Sequence, residues 1–106
     1  DVNADGSIGN GRKFATLFLT ENVLDRKGKS SSADGMAIDT DGNIYVATYY
    51  GVQIFNAKGT FVGMINLPSF PVSLCFGDTD LKTLYIVSYS KVYKIRTNKK
   101  GFVQYL

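Results

Sequence analysis

The chain has 106 residues, no histidine and one cysteine, and its formal net charge is +3. Within such a chain, histidine-based triads, imidazole metal ligands, internal disulfides and cysteine-pair zinc sites are excluded. No run approaches the roughly 20 apolar residues of a membrane span. We therefore expect a soluble protein with no membrane partner, whose chemistry uses carboxylates, amides and hydroxyls.

The first residues contain a turn that returns further along the chain. Residues 3–6 (NADG) return as residues 56–59 (NAKG), and the glycine in each is suited to the positive φ that such a turn demands. After the first copy, the pattern predicts an outer strand at 13–17. Residues 20–34 are largely polar and predict a long connection between structural units.

Residues 35–47 and 72–87 share one pattern, offset by about forty residues. Each has an apolar run, a turn with glycine and aspartate, and a second apolar run, with Tyr45 and Tyr85 in the same place. The dipeptide Asp41-Gly42 predicts a tight hairpin in the first copy. Repeats of this length, built from short strands, are typical of β-propeller blades.

The sequence therefore predicts an all-β fold, a β-propeller fragment of about two and a half four-stranded blades. Residues 1–19 end one blade, 20–34 form the connecting loop, 35–67 form a complete blade, and 72–106 form the next. The predicted strands of the last two blades are 36–39, 44–48, 52–55, 61–67, 72–76, 84–88, 92–95 and 102–105. Because closed propellers have roughly four to eight blades, we expect part of a larger protein, or a subunit that closes a ring with other copies of this chain.

Strand direction predicts which loops share an end of the blades. One end collects residues 30–34, 49–51, 69–71 and 88–90, which are rich in aromatic and hydroxyl side chains. The opposite end collects the turns at 39–42, 56–59, 77–80 and 98–101. We expect the first end to carry the function, because binding residues concentrate on loops held by a rigid scaffold.

Asp34 is the leading candidate for chemistry, because it precedes the innermost predicted strand and its neighbour Gly35 permits a close backbone approach. A carboxylate at the mouth of a propeller channel is suited to bind a hard divalent cation and to act as a base. The alternative is a simple turn before a strand. Tyr49 and Tyr50 lie at the same end, where they either line a ligand pocket or pack between blades.

Three further features have a structural and a functional interpretation. The carboxylates Asp39, Asp41, Asp78 and Asp80 suggest a calcium loop, but their place in hairpin turns favours structural roles.

The basic cluster of Lys91, Lys94, Arg96, Lys99 and Lys100 suggests an anionic partner, but a solvated edge is favoured, and we expect no nucleic acid partner. Cys75, within an apolar run, is expected to be buried.

The order and spacing of several segments resemble the senescence-marker-protein/gluconolactonase family over nearly the whole chain. They are Asp5-Gly6, Gly11-Arg12-Lys13-Phe14, residues 34–39 and 41–47, Gly51-Val52-Gln53-Ile54-Phe55, Gly59, Leu67-Pro68, Cys75-Phe76-Gly77, residues 80–86 and Val92-Tyr93-Lys94-Ile95. The resemblance implies a six-bladed propeller and a divalent-metal-dependent hydrolase of sugar lactones, with relatives that cleave organophosphate esters. It also implies that Asp34 is a metal ligand and catalytic residue.

The resemblance further implies a glutamate and asparagines as metal ligands, which match no position in this chain. Glu21 and Asn22 lie in the wrong place to replace them. We expect calcium as the ion, with zinc, magnesium or manganese as alternatives, and Tyr49, Tyr50, Phe70 and Tyr89 as residues that shape the substrate entrance. The main hypothesis is a C-terminal part of a lactonase-like hydrolase; the alternatives are a non-catalytic binding scaffold, whose aromatic end recruits a peptide or protein, and a ring-forming subunit.

Overall fold

The computed structural model of the protein describes residues 1–18 and 31–103. Seven strands lie in these ranges: β1 (Met36–Ile38), β2 (Ile44–Thr48), β3 (Gly51–Phe55), β4 (Phe61–Ile65), β5 (Ser73–Gly77), β6 (Thr83–Val87) and β7 (Val92–Arg96). The described residues contain no helix, and therefore no helix that is long and apolar enough to cross a membrane. The prediction of an all-β fold is confirmed.

The strands form two antiparallel sheets in which sequence neighbours pair. Sheet 1 has the order β1-β2-β3-β4, and sheet 2 has the order β5-β6-β7. The predicted strands agree with the observed ones within about two residues, the usual uncertainty of strand ends, except at 13–17 and 102–105. The division of these sheets into blades stays a prediction.

One turn recurs three times in the chain. The turns begin at Asn3, Asp39 and Asn56. In each turn, the backbone carbonyl of this residue accepts a hydrogen bond from the N–H of a glycine three residues later. These glycines, Gly6, Gly42 and Gly59, have φ values of 88°, 85° and 84°, a region that residues with a Cβ rarely adopt. The repeated turn at 3–6 and 56–59 is confirmed, and the hairpin at Asp41-Gly42 belongs to the same class.

The core lies between the two sheets and follows the two-residue period of the strands. Tyr45, Ala47 and Val52 of sheet 1 pack in one buried cluster with four residues of sheet 2. Those four residues are Leu74, Phe76, Leu84 and Ile86. The rings of Tyr45 and Phe76 meet edge to face, with centroids 5.2 Å apart. The buried cluster therefore packs sheet 1 face to face with sheet 2.

Residues 13–18 cover part of the other face of sheet 1, and they do not form the predicted strand at 13–17. The buried side chain of Gln53 replaces a strand partner: its Oε1 accepts from Phe18 N at 2.7 Å, and its Nε2 donates to Phe18 O at 2.9 Å. An apolar cavity of about 420 Å³ remains between residues 13–17 and this face. The prediction was wrong because a side-chain contact, which local alternation does not encode, holds the segment.

The predicted strand at 102–105 is wrong over the described residues 102 and 103; residues 104 and 105 lie outside the described ranges. Gly101 bridges to Asp39, and Phe102 N donates to Ile38 O at 3.0 Å. The chain therefore returns to sheet 1 after β7 and does not add a fourth strand beside β7 at these residues. Tertiary hydrogen bonds have overridden the β propensity of Phe102 and Val103.

Cys75 is exposed, so the prediction that it is buried was wrong. Its neighbours Leu74 and Phe76 point into the core, and alternation along β5 turns Cys75 to the opposite face. Three consecutive apolar residues concealed that alternation in the sequence.

Candidate functional site

The loops predicted to share one end do meet there. Tyr49 N, after β2, donates to Ser31 O at 2.7 Å, and Gly35 N, before β1, donates to Val72 O at 2.9 Å. We call this the loop end and define it by residues 31–34, 49–51, 69–71 and 88–90; Ser30 lies outside the described residues. Two sheets and the segment before β1 therefore contribute to a single surface.

Asp34 is exposed and lies directly before β1. Its N–H donates to Ala47 O at 2.9 Å, and Ala47 N donates to Gly35 O at 2.9 Å, so the pairing with β2 extends past the start of β1. On the other side, Gly35 N is hydrogen-bonded to Val72 O. The backbone at Asp34 is thus held by hydrogen bonds to both sheets, while the residue itself is exposed. A metal ligand or a general base requires this combination of fixed backbone and accessible side chain.

Gly35 is the residue that lets the two sheets approach beside Asp34. A Cβ added at this position would lie 3.0 Å from Ser73 Cα and 3.1 Å from Ser73 Oγ. A side chain there would push β1 away from β5. The close approach expected from Gly35 is confirmed, and it also places the Ser73 hydroxyl beside the backbone of the site, which no sequence motif signals.

Four aromatic residues of the loop end form a continuous series of ring contacts. Tyr49 and Phe70 have centroids 5.2 Å apart, and Phe70 and Tyr89 have centroids 4.8 Å apart in an edge-to-face arrangement. Tyr50 joins the series through Tyr49, with centroids 5.4 Å apart. The structure thus brings together the four residues that the sequence analysis placed at the entrance.

Tyr50 differs from the other members of this series. Its hydroxyl is buried, and no hydrogen-bond partner for it lies within the part of the chain that the structure describes. Tyr49 and Tyr89, in contrast, are 42% and 77% exposed. The exposed aromatic surface therefore consists chiefly of Tyr49 and Tyr89, with Phe70 between them and Tyr50 packed against Tyr49.

The aspartates of the opposite end have structural partners, as predicted. Asp39 Oδ1 accepts from the N–H groups of Asp41 and Asn43, and its Oδ2 accepts from Asn43 Nδ2 and from the Tyr45 hydroxyl. Burial opposes ionisation of Asp39, but the hydrogen bonds from Asn43 and Tyr45 outweigh it and lower its pKa. This carboxylate stabilises a hairpin turn.

The second hairpin uses the same chemistry with other residues. Asp78 accepts hydrogen bonds from the hydroxyls of Thr83 and Tyr85, and these bonds lower its pKa. Asp80 pairs with the Arg96 guanidinium, whose hydrogen bond lowers the pKa of Asp80 to about 2. Both carboxylates are occupied within their own sheet.

The basic cluster of the sequence is partly neutralised. Arg96 is paired with Asp80, and Lys99 Nζ lies 2.8 Å from Asp41 Oδ2. Such pairing agrees with a solvated edge. That the protein has no nucleic acid partner stays a prediction.

The metal-binding capacity of this chain rests on few groups. Within residues 1–18 and 31–103, no three Asp, Glu, Cys or His side chains converge on a position that could hold an ion. Asp34 is a suitable hard oxygen ligand but does not form a site by itself. Glu21 and Asn22 lie outside the described residues.

Comparison with known proteins identifies the relatives of the chain. The sequence profile described as the SMP-30/Gluconolactonase/LRE-like region matches residues 1–90. The chain belongs to this family. Its members include proteins named for lactone hydrolysis, which are similar to this chain over part of their length.

A gluconolactonase of Zymomonas mobilis is 35% identical over 77 residues, which cover 71% of this chain and 21% of the relative. Regucalcin of Gallus gallus is 33% identical over 89 residues, which cover 80% of this chain and 27% of the relative. The pentonolactonase XacC of Haloferax volcanii is 38% identical over 58 residues, which cover 52% of this chain and 20% of the relative. The chain therefore spans between a fifth and just over a quarter of the length of these curated relatives.

The fold has a counterpart among solved structures. The X-ray structure of a protein described as a gluconolactonase superposes with a TM-score of 0.76 at 26% identity, over 96% of this chain and 31% of that one. Nearly every described element thus has an equivalent in that larger protein. The likeness agrees with the family assignment from sequence.

Proposed function

We propose that this chain is part of a six-bladed β-propeller that hydrolyses sugar lactones or related esters with a divalent metal ion. The observation that carries the proposal is the position of Asp34: an exposed carboxylate before the innermost strand of sheet 1, held by Ala47 and next to the backbone contact of Gly35 with Val72. Membership of a family with named lactonases supports it.

The packing of the two sheets supports the propeller. Sheet 1 and sheet 2 stack face to face, and their first strands, β1 and β5, lie in contact. The same end of both sheets carries the loops with aromatic side chains. Blades around a common channel have this relation, in which first strands are innermost and equivalent loops meet at one end. Residues 35–67 and 72–106 would then be consecutive blades, and residues 1–19 the end of the preceding one.

Asp34 would contribute one ligand to the ion, and the other ligands would come from the remaining blades of the protein or from other copies of this chain. Calcium suits oxygen ligands best, and zinc, magnesium and manganese are alternatives. When bound, such an ion supplies Lewis-acid chemistry: it polarises a carbonyl oxygen and makes water more acidic.

Asp34 would also accept a proton from the water that attacks the lactone carbonyl, since an exposed carboxylate at a fixed position is suited to act as a general base. The rigid pairing with Ala47 restricts the direction from which the base acts. Tyr49, Phe70 and Tyr89 would shape the entrance to the site, with Tyr50 supporting Tyr49. Hydrolysis then opens the ring to a hydroxy acid.

The test is Asp34→Asn in the complete protein, compared with Asp41→Asn as the same substitution at an exposed aspartate of the opposite end. Asp34→Asn should reduce kcat/KM for a sugar lactone by about 10²- to 10⁴-fold and weaken metal binding measured by calorimetry. Asp41→Asn should leave both unchanged. Full metal-dependent turnover by Asp34→Asn would disprove the role of Asp34; absence of turnover in the unmutated protein would favour a non-catalytic scaffold.

A further inference from the structure

We propose that Tyr49, Phe70 and Tyr89 form a binding platform for the C–H face of an uncharged sugar ring and determine which lactones the protein selects. We call these three residues the aromatic platform. The inference rests on the proposed function, in that the ligand is the lactone which Asp34 would help to hydrolyse, and it adds the residues that recognise the sugar.

The platform is a preformed surface. Its rings come from three loops, after β2, before β5 and after β6, and each ring touches the next, with centroids 5.2 Å and 4.8 Å apart. Phe70 and Tyr89 meet at an interplanar angle of 83°. Because the rings support one another, little side-chain freedom would be lost when a ligand binds.

Backbone hydrogen bonds connect the segment that carries Asp34 to the segments that carry Tyr49 and Phe70. Asp34 N is bound to Ala47 O, two residues before Tyr49, and Gly35 N is bound to Val72 O, two residues after Phe70. The two strands of backbone that flank the carboxylate therefore lead directly to two rings of the platform. We therefore expect a small ring stacked on these residues to bring its reactive carbonyl towards Asp34.

The aromatic rings of the loop end favour a neutral ligand. Residues 31–34, 49–51, 69–71 and 88–90 contain one acidic residue, Asp34, and the loop between β6 and β7 that contributes Tyr89 ends with one basic residue, Lys91. The face of an aromatic ring is the negative part of its quadrupole, so it attracts the partly positive C–H groups of a sugar and repels an anionic group. The hydroxyl of Tyr89, which is 77% exposed, can hydrogen-bond to the rim of a polyhydroxylated ring.

This arrangement predicts an order of preference. An unsubstituted sugar lactone offers both the C–H face and the hydroxyl rim. An aliphatic lactone of the same ring size offers no hydroxyls, and a phosphorylated sugar lactone brings a negative charge close to the aromatic faces and to the Asp34 carboxylate. The first should therefore have the lowest KM of the three.

The experiment measures kinetics of the complete protein with D-glucono-1,5-lactone, its 6-phosphate and δ-valerolactone. Tyr89→Ala should raise KM for gluconolactone about three- to tenfold, as expected for loss of one aromatic contact, with kcat unchanged. Tyr89→Phe keeps the ring, so its KM for gluconolactone should be close to that of the unmutated protein. Phe102→Ala removes an exposed aromatic ring at the opposite end and should have no effect.

A second measurement separates this inference from the proposed function. Saturation-transfer NMR with 1,5-anhydroglucitol, a sugar ring without a lactone, reports binding whether or not the protein is a hydrolase. A Tyr89-dependent signal in a protein that hydrolyses no lactone would reject the hydrolase and retain the platform. Hydrolysis with the same KM in Tyr89→Ala, or an NMR signal that Tyr89→Ala leaves unchanged, would overturn the platform.

Discussion

The hydroxyl of Tyr45 donates a hydrogen bond of 2.7 Å to Oδ2 of Asp39 across the hairpin that joins β1 to β2. In sheet 2, the hydroxyl of Tyr85 donates to Asp78 in the hairpin that joins β5 to β6. The repeat recognised in the sequence is therefore also a repeat of contacts, in which a tyrosine of the second strand holds the carboxylate of the preceding turn.

Tyr45→Phe should destabilise the protein by about 1.5–3 kcal/mol, the range for one hydrogen bond to a charged group. The ring still packs on Phe76, and Asp39 keeps its donors from Asp41 and Asn43. Urea unfolding provides the measurement. Tyr85→Phe is the matched control: its hydrogen bond lies at an exposed site and should contribute less. Equal losses in the two variants would contradict this ranking.

The stabilisation from Asp39 should disappear in acid. Its pKa is lowered in the folded state, so its contribution is present above the unfolded value of about 3.9 and is lost as the pH falls through the folded pKa. Asp39→Asn should therefore be less stable than the unmutated protein at pH 7, and the difference should narrow towards pH 2. Asp78 and Asp80 titrate in both proteins, so their contributions to the pH dependence cancel when the two free energies of unfolding are subtracted. A difference independent of pH between 2 and 7 would show that ionisation of Asp39 is not responsible.

Two glycines in the same kind of turn should respond differently to alanine. Gly6 and Gly59 have φ values of 88° and 84°, so both substitutions place a Cβ in the left-handed region at a cost of about 1–2 kcal/mol. A Cβ at Gly6 meets nothing within 4 Å, whereas one at Gly59 lies 2.2 Å from Phe14 O. Gly59→Ala should therefore be more destabilising in urea unfolding by about a further 1–3 kcal/mol. Equal effects would mean that residues 13–18 move away at little cost.

The parts of the fold that the sequence predicted depend on local chemistry. The turn at 56–59 follows from an asparagine and a glycine three residues apart, and the hairpins follow from alternation around such turns. The position of Asp34 was predictable because it depends only on the start of β1. Contacts between distant segments, such as Gln53 with the backbone of Phe18 and Phe102 with Ile38, have no local signal. The ligands that would complete a site around Asp34 are for the same reason not readable from this chain.

The repeat also explains why Cys75 is exposed. The register pairs Ala37 with Tyr45 in sheet 1 and Cys75 with Tyr85 in sheet 2, so Cys75 corresponds to Ala37. Ala37 lies on the face of sheet 1 that packs against sheet 2. The face of sheet 2 that bears Cys75 is therefore the one that would receive a further sheet.

This correspondence predicts the reactivity of Cys75. In the 106-residue chain under native conditions, Cys75 should react with a thiol reagent at nearly the rate seen in denaturant, because its side chain is exposed. In a longer protein that supplies the neighbouring sheet, reaction should become much slower, since the packed face excludes the reagent. Equally fast reaction of Cys75 in the longer protein would contradict stacking of a further sheet on this face, and with it the proposed propeller.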